Sequence, residues 1–190
     1  MSTQQAIVAA TKKWLETVIV KYNFCPFARK ELENDTIRYS VSELTSFDDL
    51  VELALAECRF LDDHPQTATT LMILPNGFDN FDRYLDLVDL IQSQVIESAF
   101  TEESPEGKSY EGIYQVASFH PDYCFADADK DDAANYTNRA PCPVVHFLRE
   151  DDIAEALADY PDPENIPDRN ITLARRKGTK KMAQLLSECH

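Results

Sequence analysis

The chain has 190 residues, 44% of them hydrophobic, and a formal net charge of −16 at pH 7. That length suits one domain with a real buried core. The charge argues against a general binder of nucleic-acid backbone and against a docker on anionic membrane, because the field of the protein repels both.

The first ten residues lack a basic stretch followed by an apolar core, so no secretory signal is expected. No run approaches the roughly 20 apolar residues of a membrane span. Five cysteines (Cys25, Cys58, Cys124, Cys142 and Cys189) are scattered and odd in number. Free thiols in a reducing compartment fit that pattern better than a disulfide framework. The expectation is a cytoplasmic protein that partners neither nucleic acid nor membrane.

Ala6, Ile7, Ala10, Trp14 and Val18 recur at helical spacing and predict a helix over 2–21. A second reading makes 18–22 a short strand. Pro26 disfavours helical geometry at Cys25 and can open a helix at its own position, so Cys25 falls just ahead of a helix start. A helix N-terminus lowers a thiol pKa. Ile37, Tyr39 and Val41 alternate with polar residues and predict a strand. Ser46 is placed to cap a helix whose stripe runs Phe47, Leu50, Val51, Ala54, Leu55, Cys58 and Leu61. Residues 67–74 are nearly all apolar or β-branched, a strand buried on both faces. Asp79 is placed to cap a helix running to about 99, and 101–112 reads as a loose surface connection. A third strand over 113–120, a fourth over 144–149, a short helix over 151–160 and a last helix over 170–189 complete the chain.

Strands separated by helices normally lie parallel. The predicted fold is therefore α/β: a single domain over 1–190, a mostly parallel four-stranded sheet flanked by helices, with a long loop between the third and fourth strands. The fourth strand has the option of running antiparallel at an edge. Ligands in such sheets sit beyond the carboxyl ends of the strands. The long loop leaves the third strand there, and Ser42 and Pro75-Asn76 would share the rim.

Loops beyond about 12–15 residues are usually functional or disordered. Phe119, Tyr123, Phe125 and Tyr136 argue against disorder here. The sequence reading places a site in this loop. His120 would serve as acid, base or ligand, with Asp122 orienting it. Asn135, Tyr136 and Asn138 would shape the pocket, and the planar fork of Arg139 would hold a carboxylate or phosphate. His146, between Val144 and Leu148 on one strand face, is either a hydrogen-bonded core residue or a further catalytic group.

Three rival chemistries are weighed beside this one. His120, Asp122 and Cys124, spaced by two, offer the donor types of a transition-metal site, but no recognised ligand spacing supports it. No metal ligand is therefore assigned, and the sequence names no cofactor. Cys25-Pro-Phe-Ala28 is half of a dithiol motif, which leaves a monothiol redox protein. Arg169, Arg175, Arg176, Lys177, Lys180 and Lys181 make the last helix basic, either a partner surface or a solvated face. With four glycines the chain has no dinucleotide fingerprint, and it has no phosphate loop or nucleophile elbow.

Six boxes carry a family resemblance: Asn-Phe-Cys-Pro-Phe-Ala (23–28), Ile-Arg-Tyr-Ser-Val-Ser (37–42), Ser-Phe-His-Pro-Asp-Tyr (118–123), Ala-Asn-Tyr-Thr-Asn-Arg-Ala-Pro (134–141), His-Phe-Leu-Arg-Glu (146–150) and Ile-Pro-Asp-Arg-Asn (166–170). Together they resemble a bacterial family of short proteins of unknown function, DUF1415. The resemblance implies no activity. It implies that Cys25, His120, Asp122, Asn135, Asn138, Arg139, His146 and Arg169 are motif positions. Cys124 stands where that family is associated with Gln, which weakens the three-ligand metal idea.

The leading expectation is an enzyme acting on a small polar or anionic metabolite, with His120, Asp122 and His146 catalytic. Asn135, Tyr136, Asn138, Arg139, Arg169 and Cys25 would contact the substrate. The alternatives are a monothiol redox protein using Cys25 and a non-catalytic binding module using the basic last helix. The sequence does not fix the oligomeric state.

Overall fold

Alternation in one short stretch and an unbroken apolar run in another produce the two strands that start the sheet, β1 (Ile37–Val41) and β2 (Thr69–Ile73). They belong to a computed structural model that describes residues 3–97, 109–158 and 160–190. The other elements are β3 (Tyr114–Phe119), β4 (Val144–Arg149) and seven α-helices among the described residues. These are α1 (Thr3–Trp14), α2 (Ala28–Glu33), α3 (Phe47–Asp63), α4 (Phe81–Ile91), α5 (Glu150–Ala158), α6 (Ile166–Lys177) and α7 (Thr179–Ser187). Helices α1 and α4 each continue as π-helical turns, over Leu15–Val20 and Gln92–Ile96. The stretch over 18–22 is thus helical and turn-like, not a strand.

The chain is a single α/β domain with an open sheet in the order β1-β2-β4-β3. The sheet is mixed, which corrects the mostly parallel expectation. Strands β1 and β2 are parallel, but β4 is antiparallel to both its neighbours, β2 and β3. Two physical reasons account for this. The long loop over 120–143 contains only one 3-10 turn, Ala133–Thr137, so no helical crossover forces β4 parallel. Strand β4 is also apolar on both faces, with Val145 and Phe147 buried on one and Val144 on the other. An edge position would leave part of that surface wet, so β4 lies inside the sheet.

Side-chain alternation divides the core into two layers. Met72, Val145 and Phe147 pack against Leu50, Ala54 and Leu61 of α3 and Tyr84 and Leu87 of α4. On the opposite face Leu71, Ile73 and Val144 pack against Trp14 and Val18, Phe24, Ala174 of α6, and Met182 and Leu185 of α7. Helices α3 and α4 therefore cover the same face. The caps follow the chemistry of their residues. Ser46 Oγ accepts from Asp49 N at 3.3 Å. Asn80, one residue beyond the expected Asp79, caps α4 by accepting from Arg83 N at 2.8 Å. The last helix is two, broken at Gly178, whose φ of 81° suits glycine. The connection expected over 101–112 lies largely outside the described residues.

The end of the β3–β4 ladder is bolted by Tyr84. Its hydroxyl donates to the Val144 carbonyl at 2.6 Å and accepts from Phe119 N at 3.1 Å. Tyr84→Phe leaves a buried carbonyl and a buried N–H unpaired, which costs about 1–3 kcal/mol. An unfolding free energy lower by that amount is expected from urea titration; an unchanged value contradicts the bolt.

Candidate functional site

The loop over 120–143 has many backbone groups to satisfy and little regular structure to do it, so polar side chains take the task. His120 is fully buried. Its Nε2 lies 2.8 Å from the Phe78 carbonyl, and its Nδ1 accepts from Asp122 N at 2.9 Å. A carbonyl only accepts and an amide only donates, so the ring is neutral with its proton on Nε2. Both nitrogens are spent on backbone. Burial, the largest influence, holds its pKa below the usual range, against the opposing pull of the Phe78 carbonyl, Asp122 and Asp79. Asp122 meets the ring through its backbone, and its side chain is exposed.

The neighbouring candidates behave alike. Asn135, fully buried, accepts from Phe125 N at 3.0 Å and donates to the Asp129 carbonyl at 2.9 Å. Asn138 donates to the Ser118 carbonyl at 3.4 Å and accepts from Thr137 at 3.0 Å. Arg139 donates to the Tyr123 and Lys130 carbonyls, both at 3.0 Å, and lies over the buried ring of Tyr136. Arg169 ties α6 to the Asn23 carbonyl and the Tyr160 hydroxyl, both at 2.7 Å. Cys124 Sγ donates to the Ala128 carbonyl at 3.4 Å. Among the described residues no group of three or more His, Cys, Asp or Glu is placed to hold a metal. His120 and Arg139 are thus turned to carbonyls of separate residues, Phe78 for the first and Tyr123 and Lys130 for the second. In the basic helix, Arg175 pairs with Asp132 at 2.7 Å and Lys177 lies 3.9 Å from the Tyr22 ring centre.

Two candidates do share a hollow, and it lies elsewhere. A cavity of about 730 Å³ opens on the sheet face opposite α3 and α4. It is bordered by the first residues of β1 and β2, the last of β4, and helices α2 and α5. Ligand sites commonly have this size. Ile37, Leu71 and Leu148 supply its apolar floor, Phe27 one wall, and Ile153 and Ala156 of α5 its roof. Helix α5 has no buried residue, so its apolar stripe faces the hollow instead of a core. Cys25 and His146 both line this space.

His146 stands beside Leu71 across the β2–β4 ladder, and Thr69 lies one pleat away. Thr69 Oγ1 donates its only proton to the Phe147 carbonyl. His146 Nε2, 2.7 Å from that oxygen, must therefore donate to it. The imidazole is fixed as the Nε2–H form. Nδ1 has no hydrogen-bond partner among the described residues. It is also absent from the sealed unpartnered atoms there, which are Trp14 Nε1, Tyr39 Oη, Thr70 Oγ1 and Arg149 Nε. Its lone pair opens to the hollow. The ring touches that space on one side and is walled by protein on the others, and burial holds its pKa down to about 4.

Cys25 lies three residues before α2, which opens at Ala28 and not at Pro26, and its thiol is not acidic. Burial pushes its pKa up, outweighing the pull of the Phe27 and Ala28 N–H groups. Sequence reasoning missed Thr69 and the roof. The roof had a signal, since Ile153, Ala156 and Leu157 form a short apolar stripe with no strand left to cover. Thr69 had none, because its role depends on cross-strand register.

The His146 pKa carries a stability prediction. Folded, it lies below its ordinary 6.5, so protons favour the unfolded chain. The contribution is complete above about pH 6.5 and is lost as pH falls toward 4. It amounts to about 3 kcal/mol. Urea unfolding of His146→Phe should show a shallower loss between pH 7 and 4.5 than the parent chain. Identical slopes contradict the assignment.

Comparison with curated proteins and with solved structures returns no match. One family model matches, described as protein of unknown function (DUF1415), over residues 6–184. The chain belongs to the DUF1415 family, and the match spans the loop, the hollow and both halves of the sheet.

Proposed function

We propose that this protein binds a small organic molecule in the hollow between the sheet, α2 and α5. One observation carries the reading. A cavity of about 730 Å³ joins an apolar floor to a polar atom with no protein partner, His146 Nδ1. Unpaired polar groups at a site are matched by ligand groups, because desolvating them unpaired is costly.

Recognition fits the protonation of the two site residues better than thiolate chemistry does. The Cys25 thiol is raised by burial and the His146 ring is held neutral, so both face the ligand uncharged. A redox protein of the monothiol kind needs the opposite shift at Cys25. An acid–base enzyme at His120 draws no support from a sealed ring whose nitrogens both serve the backbone.

The test is a library of small amphipathic fragments screened by saturation-transfer NMR on the parent chain and on Ala156→Trp, which fills the hollow from its roof. Fragments that bind the parent should lose their signal in the variant. Hits that bind both proteins equally, or no hits, overturn the reading.

A further inference from the structure

We propose that the molecule held in this hollow is an organic amine, with an apolar body and an N–H donor, and not a carboxylate or phosphate ester. This rests on the ligand-site reading above and adds the chemical class.

The hydrogen-bonding polarity of the floor comes first. Thr69 fixes His146 so that only an acceptor lone pair meets the hollow. An anionic oxygen placed there sets acceptor against acceptor. An amine supplies the proton that Nδ1 lacks. Phe27 also lines the hollow, and an aromatic ring suits a cation.

The charges around the mouth agree. Two cations line the hollow: Arg149, which is held by protein groups, and Lys30, whose side chain is 80% exposed. Lys30 lies 3.7 Å from Glu31. Arg149 donates to the Tyr114 hydroxyl and to the Leu61, His64 and Thr67 carbonyls, and its Nε lies 3.8 Å from Asp152. Three carboxylates line the same space: Glu31, Asp152 and Glu155. Glu155 is exposed and has no ion pair among the described residues, and the Asp152 side chain is 55% exposed. The local balance is one net negative charge, within a chain whose formal charge is −16. Salt screens the distant charges over about 8 Å, so the local excess of one carboxylate weighs most.

Tryptamine and indole-3-acetate test the class, since they share a ring and differ in the sign of the tail. Their Kd values are measured by NMR titration at pH 7 on the parent chain, His146→Phe, Glu155→Lys and Ala156→Trp. Tryptamine should bind the parent at least about ten-fold more tightly than the acid, and His146→Phe should weaken it by about five- to ten-fold. Glu155→Lys should narrow the preference. If the acid binds as tightly as the amine and Ala156→Trp blocks both, the class falls and the ligand site stands. The class also falls if His146→Phe leaves tryptamine affinity unchanged. If tryptamine binds Ala156→Trp as it binds the parent, the hollow itself is overturned, and so it is if neither compound binds the parent.

Discussion

Strand β4 runs down the inside of the sheet against the direction of the other three, and that placement governs where a hollow opens. In a doubly wound sheet a crevice opens beyond the carboxyl ends, at the point where connections leave to opposite faces. Here α3 and α4 cover one face, and β4 fills the place between β2 and β3. At the carboxyl end of β3 the Tyr84 hydroxyl ties β3 to β4, and the buried His120 and Asn135 pack the loop beyond it. The same strand carries His146 beside β2, under a helix with no buried residue, and so creates an opening at the opposite end of the sheet.

The loop and the hollow divide the polar side chains between two tasks. The loop has too little regular structure to pair its own backbone, so His120, Asn135, Asn138 and Arg139 do it. Each removal would take a partner from loop peptide groups, which gives these positions a structural reason to be polar. In the hollow the opposite holds. His146 is oriented by protein on one nitrogen and left open on the other. A group positioned by packing and free at its tip is preorganised for a ligand.

Much of the fold was legible because it followed local rules. The Ser46 cap, the alternation of β1, the run of β2 and the long loop are properties of neighbouring residues. Strand direction was not, because it depends on whether the link from β3 to β4 is a helix or a loop and on burial of both faces of β4. The hollow was legible only through two of its lining residues. His146 and Cys25 stood out as chemistry-bearing residues, and they do share a cavity. His120, Asp122 and Arg139 were grouped because they share one loop, and side chains of one loop can still be turned to separate partners, as His120 is to the Phe78 carbonyl and Arg139 to those of Tyr123 and Lys130. Thr69 carries no sequence signal at all. Its meaning comes from one proton given to Phe147 and one received from a ring on the next strand.

The account depends on the proton order in that short chain. A two-bond proton–nitrogen correlation spectrum of the histidine rings reads it directly. At pH 6, His146 should appear neutral with its proton on Nε2 and a pyridine-type Nδ1, and it should remain so at pH 5. An Nδ1–H ring, or an imidazolium already at pH 6, would contradict it.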